Sequence, residues 1–136
     1  MKDLYDDFRS AYVVKPQTVT SANANGTGAD LLGYRGVLMV AHLGASGGLL
    51  GGSNLVTIQF QESSNNVVFS AIQDGDLIGG TNTQVIDANG EGNTSVQRGY
   101  IGSARYVTIN FVPTGTVSLP VCAAVVRGKP LHAPIA

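Results

Sequence analysis

The sequence predicts an all-β fold, a single β-sandwich of jelly-roll or Greek-key type with short N- and C-terminal arms. Three observations carry this. Apolar and polar residues alternate at a period of two in Leu55–Glu62 and again in Arg105–Val112, the pattern of strands with one buried face. Such segments recur at intervals of about 8–12 residues, separated by Gly, Asn and Pro. No interior stretch carries a convincing helical period.

Residues 1–15 are mixed and mildly amphipathic. Leu4, Tyr5 and Phe8 fit one helical face, either as a turn capping the domain's own core or as an arm for a neighbouring subunit. Pro16 ends any helix there, because it restricts the residue before it. The domain proper is expected over 16–128, with a tail over 129–136. Residues 17–22 are rich in β-branched side chains and read as a strand. Asn25-Gly26 is a turn, since both residues tolerate positive φ. Tyr34 to Leu43 is a nearly continuous apolar run, suited to a strand buried on both faces. Gly44 to Asn54 is too rich in glycine for a helix and reads as a flexible surface loop.

In the next strand Val56, Ile58 and Phe60 face one side, with Thr57, Gln59 and Gln61 on the other. Ser63 to Asn66 turns the chain. Strands are expected at Val67–Gln73, Leu77–Ile78 and Thr83–Asp87, then a loop over Ala88–Thr94. Ser95–Ile101 and Arg105–Val112 follow, the second with Val107, Ile109 and Phe111 inward. Pro113 to Thr116 is a turn. The last strand is Val117–Arg127, and Pro120 suggests that it starts at an edge or bulge. Pro130 and Pro134 argue against ladder bonding beyond Gly128.

Composition narrows the function. The 136 residues make one domain, long enough to bury a real core. Only 12% are charged and the net charge is -1. There is no Lys/Arg stripe, so nucleic acid is not an expected partner. A weakly charged surface favours life in an assembly, because charge keeps proteins apart. No run reaches the length of a membrane-spanning helix, and the N-terminus lacks the apolar core of a secretion signal. A soluble product made in a cytoplasm is expected. The single cysteine, Cys122, sits in the apolar run Val121–Val126 and reads as a small buried hydrophobe.

Motifs with chemistry are weak. Gly44-Ala-Ser-Gly-Gly48 matches the G-x-S-x-G elbow, but no helix follows and the only downstream histidine is His132. Asp87, Asn89, Glu91 and Gly92 fit the start of a calcium loop, yet the twelfth position is Arg98, where a bidentate glutamate belongs. A hairpin loop of turn formers explains that stretch better. His42 reads as a hydrogen-bonded residue of a buried strand. Two histidines and one cysteine without ligand spacing do not make a zinc site. No catalytic residue, metal or cofactor is expected. Arg127, Lys129 and His132 form a small basic cluster beside the apolar Leu131 and Ile135. That cluster is either a solvated terminus or an arm that docks on an acidic neighbour.

Several blocks carry a family resemblance. They are Gly99-Tyr-Ile-Gly-Ser-Ala-Arg-Tyr-Val-Thr-Ile-Asn-Phe111, Cys122-Ala-Ala-Val-Val-Arg-Gly-Lys-Pro-Leu-His-Ala-Pro134, Ser21-Ala-Asn-Ala-Asn-Gly-Thr-Gly-Ala-Asp-Leu-Leu-Gly-Tyr34 and Phe60-Gln-Glu-Ser-Ser-Asn-Asn-Val-Val-Phe69. In order and content the chain resembles small virion proteins of tailed bacteriophages, encoded near the major capsid protein, that decorate or cement the head. Within residues 1–15 the resemblance touches only Met1-Lys-Asp-Leu4, and the Gly44–Asn54 loop is longer and richer in glycine than the family leads one to expect. The resemblance implies a structural, non-enzymatic protein on the outer capsid surface. It would bridge major capsid subunits, as a homo-dimer or homo-trimer. The implied contacts are Tyr5, Phe8 and Tyr12 at one end, with Arg127, Lys129, Leu131 and His132 at the other. A tail, neck or fibre-base component is the alternative, and a glycan-binding sandwich a more distant one.

Overall fold

The computed structural model describes residues 4–130 and is almost entirely β. Eleven strands follow one another among those residues: β1 (Phe8–Val19), β2 (Ala24–Asn25), β3 (Ala29–Asp30), β4 (Tyr34–Leu43), β5 (Leu55–Ser63), β6 (Ser70–Ala71), β7 (Leu77–Ile78), β8 (Thr83–Ile86), β9 (Ser95–Tyr100), β10 (Tyr106–Thr114) and β11 (Leu119–Pro130). One sheet has the order β1-β11-β4-β9-β7. In the other, β10 and β5 form the centre, flanked by β2 and β3 on the β10 side and by β6 and β8 on the β5 side. Every pairing is antiparallel.

The two sheets stack as a sandwich, and most connections cross from one sheet to the other. Strand neighbours therefore come from distant parts of the chain: β1 pairs with β11, and β4 with both β11 and β9. This is the non-sequential strand order of Greek-key and jelly-roll sandwiches.

The core follows the period-two pattern. Ile58, Phe60, Ile109 and Phe111 of β5 and β10 are fully buried. They meet Met39, Ala41, Leu119, Val121, Ala123 and Val125 of β4 and β11. Each large apolar side chain buried this way stabilises the fold by about 1.5–3 kcal/mol. Polar closures seal the core's margins. The Tyr100 hydroxyl donates to Glu62 Oε2 at 2.5 Å and accepts the Ala104 amide at 2.9 Å. Burial, and then the Glu62 carboxylate, raises the Tyr100 pKa well above the ordinary phenol value. Arg98 lies buried over the Phe60 ring, 5.2 Å from its centroid, and donates to the Thr81 and Gln97 carbonyls. Its desolvation lowers its pKa.

Several expectations change. Leu4, Tyr5 and Phe8 share no helical face: strand pairing starts at Phe8, and residues 8–15 lie in the β1–β11 ladder. The last strand does not stop at Arg127. Gly128 pairs with both Phe8 and Gly36, and Pro130 lies opposite Tyr34. A proline can hold a ladder position at a strand end, where its missing N–H is not needed.

Val67–Gln73 shrinks to Ser70–Ala71, because Asn65 Oδ1 accepts the Val67 and Val68 amides and holds that segment as a turn. The glycine-rich loop is fastened rather than free. Asn89 Oδ1 accepts both the Ser46 hydroxyl at 2.7 Å and the Leu50 amide at 3.1 Å, and Leu50 is buried. Glu91, a candidate calcium ligand, turns its carboxylate back onto the Asp87 and Ala88 amides. Leu131 and His132 lie outside the described residues.

Candidate interaction face

A two-layer sandwich has one core and two outer faces, and these outer faces differ in chemistry. On β5 and β10 the outward positions are Thr57, Gln59 and Gln61, opposite Val112, Asn110 and Thr108. Asn110 Nδ2 donates to Gln61 Oε1 at 2.8 Å. That face is polar, as expected where an antiparallel sheet meets water.

The outer face of the β1-β11-β4-β9 sheet is not polar. Its register gives three central rows. Ser10, Val126, Leu38, Gly99 and Ile78 lie side by side. Tyr12, Ala124, Val40 and Gln97 form the next row, then Cys122, His42 and Ser95. No Asp, Glu, Lys or Arg stands in these rows. Tyr12 is 63% exposed and Ile78 60%. A shallow groove of about 400 Å³ runs over Cys122, Ala124 and Val126, walled by Ser10 and Tyr12 on one side and by Val40 and His42 on the other.

The local reasons are clear. β11 reads Val121-Cys-Ala-Ala-Val-Val126, so both its faces are apolar. Val121, Ala123 and Val125 enter the core, and this leaves Cys122, Ala124 and Val126 outside. Small side chains along β11 make the groove's floor, while Tyr12 stands up as its wall. β1 is bulged between Tyr12 and Val14, which lets Val13 and Val14 both bury below while Tyr12 stays above.

Two sequence readings are corrected here. Cys122 is half-buried on the outer face and is not a core residue. His42 is exposed, not enclosed, and shares a 2.9 Å hydrogen bond between Nδ1 and Ser95 Oγ.

The anticipated contact residues come together only in part. Phe8 and Tyr12 both lie on this face, Phe8 directly opposite Gly128. The stem of Lys129 lies over Gly36 at the rim, with Lys129 itself at φ 48°. Tyr5 is exposed just outside, with the Arg9 guanidinium 5.1 Å from its ring centroid. Arg127 belongs elsewhere. It points to the inner side, stacks 4.9 Å from the Tyr34 ring centroid and donates to the Asp30 carbonyl. It ties β11 to β3 and to the first residue of β4 and is not available as a docking cation.

Sequence reasoning missed Leu38, Val40, Ala124 and Val126. The signal was present: a continuous apolar run has two apolar faces, and the second one needs a cover.

Of the tyrosines, Tyr100 is buried, Tyr34 carries Arg127 and Tyr106 carries Arg105 at 5.2 Å, while Tyr5 and Tyr12 are exposed. Ser46, the centre of the elbow-like motif, spends its hydroxyl proton on Asn89.

No protein-family model matches the chain, and no curated protein matches it. Among solved structures it is similar to a protein of the Bacillus endospore appendages, which form a family of disulfide-linked pili. The identity is 15%, with a TM-score of 0.48, over 93% of this chain and 90% of that one.

Proposed function

We propose that this protein is a structural component of a bacteriophage virion that decorates the outer capsid and cements neighbouring major capsid subunits. The observation that carries this reading is the pairing of β1 with β11. They are the first and last strands among the described residues and pair along nearly their whole length, Phe8 opposite Gly128 and Arg9 opposite Arg127. Tyr5, Phe8 and Lys129 therefore stand at one end of one sheet. These three residues then form one footprint on the shell, with a rigid sandwich above it, and Arg127 stays outside it.

The mechanism is mechanical. Each molecule adds contacts across a seam between capsid subunits. Modest contacts suffice, because a repeating lattice engages many copies at once and turns weak binding into avidity. Internal pressure must then break the decoration layer as well as the capsid's own contacts.

Purified particles test this. The chain is quantified against the major capsid protein, and the same particles are imaged. Hundreds of copies on the outer shell at local symmetry axes support cementing. A dozen copies or fewer at a vertex or along the tail overturn it in favour of a neck, tail or fibre-base part.

A further inference from the structure

We infer that the outer face of the β1-β11-β4-β9 sheet is a two-fold interface between two copies of this chain. The inference does not depend on the capsid reading, since it rests on the chemistry, relief, area and edges of one face.

Charge selects the occupant. The central rows carry no Asp, Glu, Lys or Arg, so they offer nothing to a charged partner and leave a charged partner's groups desolvated and unpaired. The best-matched surface is equally uncharged. The opposite outer face is uncharged as well, but its Gln59, Gln61 and Asn110 would lose water without a partner on the apolar rows, whereas a second copy of this same face is both uncharged and apolar.

Relief agrees. The face has a ridge, Tyr12, beside a groove floored by Cys122, Ala124 and Val126. A two-fold axis lying between the copies and running along β11 carries each Tyr12 over the partner's β4 side of the groove. Each ridge then lies against the partner's Val40, and the two Tyr12 side chains close over the facing β11 floors from either side, a self-complementary contact of the isologous kind. Tyrosine suits the anchor position, since it buries a large area with few rotatable bonds.

Area fits a weak dimer. From Pro120 to Gly128 three strands cover about 26 Å by 14 Å, and β9 adds about 13 Å by 5 Å beside the Cys122–Val126 rows, or roughly 430 Å² per copy. A dimer therefore removes about 900 Å² in total, the size of a weak, transient association.

A competing route, strand addition at the β1 edge, is obstructed. β1 is the edge strand, but its Val13 carbonyl is taken by the Thr27 amide. Two irregularities, Lys15 and Pro16 interrupt the rest of its edge.

The axis along β11 also sets the two Cys122 side chains facing each other, which provides a reporter. The test uses the purified full-length chain, without particles. Sedimentation is expected to give twice the 14.0 kDa chain mass. A short bismaleimide is expected to link two chains through Cys122. Alkylation of Cys122 is expected to slow by about tenfold or more as the protein is concentrated into the range where the dimer fills. Ala124→Arg places a charge in the centre of the face and is expected to give monomers with fast Cys122 alkylation and unchanged circular dichroism. Tyr12→Ser changes only an exposed side chain and is expected to weaken the dimer about tenfold or more, so it decides the matter if Ala124→Arg fails to fold. A wild-type monomer at about 100 µM, a trimer, or a dimer unaffected by Tyr12→Ser overturns the inference.

Discussion

Phe8 and Gly128 face each other across the β1–β11 ladder, and the Phe8 ring occupies the space that a side chain at position 128 would need. This contact joins β1 to β11 at one end of their sheet. Gly128→Val is expected to lift the Phe8 ring off the sheet. Phe8 is partly exposed and can swing away, so the cost is expected to be about 1 kcal/mol. Chemical denaturation of the wild type and the variant measures it. A loss of binding to particles larger than this stability loss would mark the end as part of the footprint.

Asp30 holds a second junction. Its carboxylate accepts two hydrogen bonds from Arg105, at 3.0 and 2.9 Å, and one from the Leu32 amide. The Arg105 guanidinium is the main reason its carboxyl titrates below the ordinary value of 3.8. A lowered folded-state pKa means stability that is present above pH 3.8 and is lost as the pH falls through the lowered value. Asp30→Asn is therefore expected to be less stable than the wild type at neutral pH. The two are expected to converge in strong acid. Denaturation midpoints from pH 7 down to about pH 2 test this, and a gap that stays constant across that range would exclude the ion pair as its source.

Tyr100 gives the opposite sign. Its folded-state pKa is raised above the ordinary 10.0, chiefly by burial. Its contribution is complete below pH 10 and is lost as the pH rises toward the raised value. Tyr100→Phe removes the titrating group but leaves Glu62 and the Ala104 amide without their partner. It is expected to cost about 1–2 kcal/mol at pH 7 and to unfold less steeply with alkali than the wild type. Melting temperatures between pH 8 and about pH 11 check both parts.

Asn89 fastens the glycine-rich loop by accepting from Ser46 and Leu50. Asn89→Ala is expected to cost about 1 kcal/mol and to speed hydrogen exchange at the Leu50 amide selectively. Equal exchange in the two proteins would show that the loop is held by its other bonds, such as Gly47 N–H to the Ser118 carbonyl.

Much of the fold was legible from the residues in order. β4 and β5 start at the residues that the pattern marks, and β10 carries the expected inward set Val107, Ile109 and Phe111. Alternation is a local property, written in each strand by side chains two residues apart, so it survives without knowledge of neighbours. The terminal elements were not legible in this way. The Phe8–Val14 segment is neither strongly alternating nor strongly helical, and it becomes a strand because β11 supplies a partner from the far end of the described residues.

The interaction face shows the same division most plainly. Val121–Val126 and Tyr34–Leu43 announce strands that are apolar on both sides, and the sequence goes no further. Such a run reads equally well as a strand enclosed in a core or as one that lends a face to a partner. The choice depends on how many layers the protein has, a property of the whole chain. With two sheets there is one interior, and Met39, Ala123 and Val125 fill it. Cys122, Ala124, Val126 and Leu38 are left on the outside because successive strand residues must point to opposite faces. Periodicity thus settled which segments are strands, whereas the pairing of distant strands settled which of their apolar faces stays uncovered.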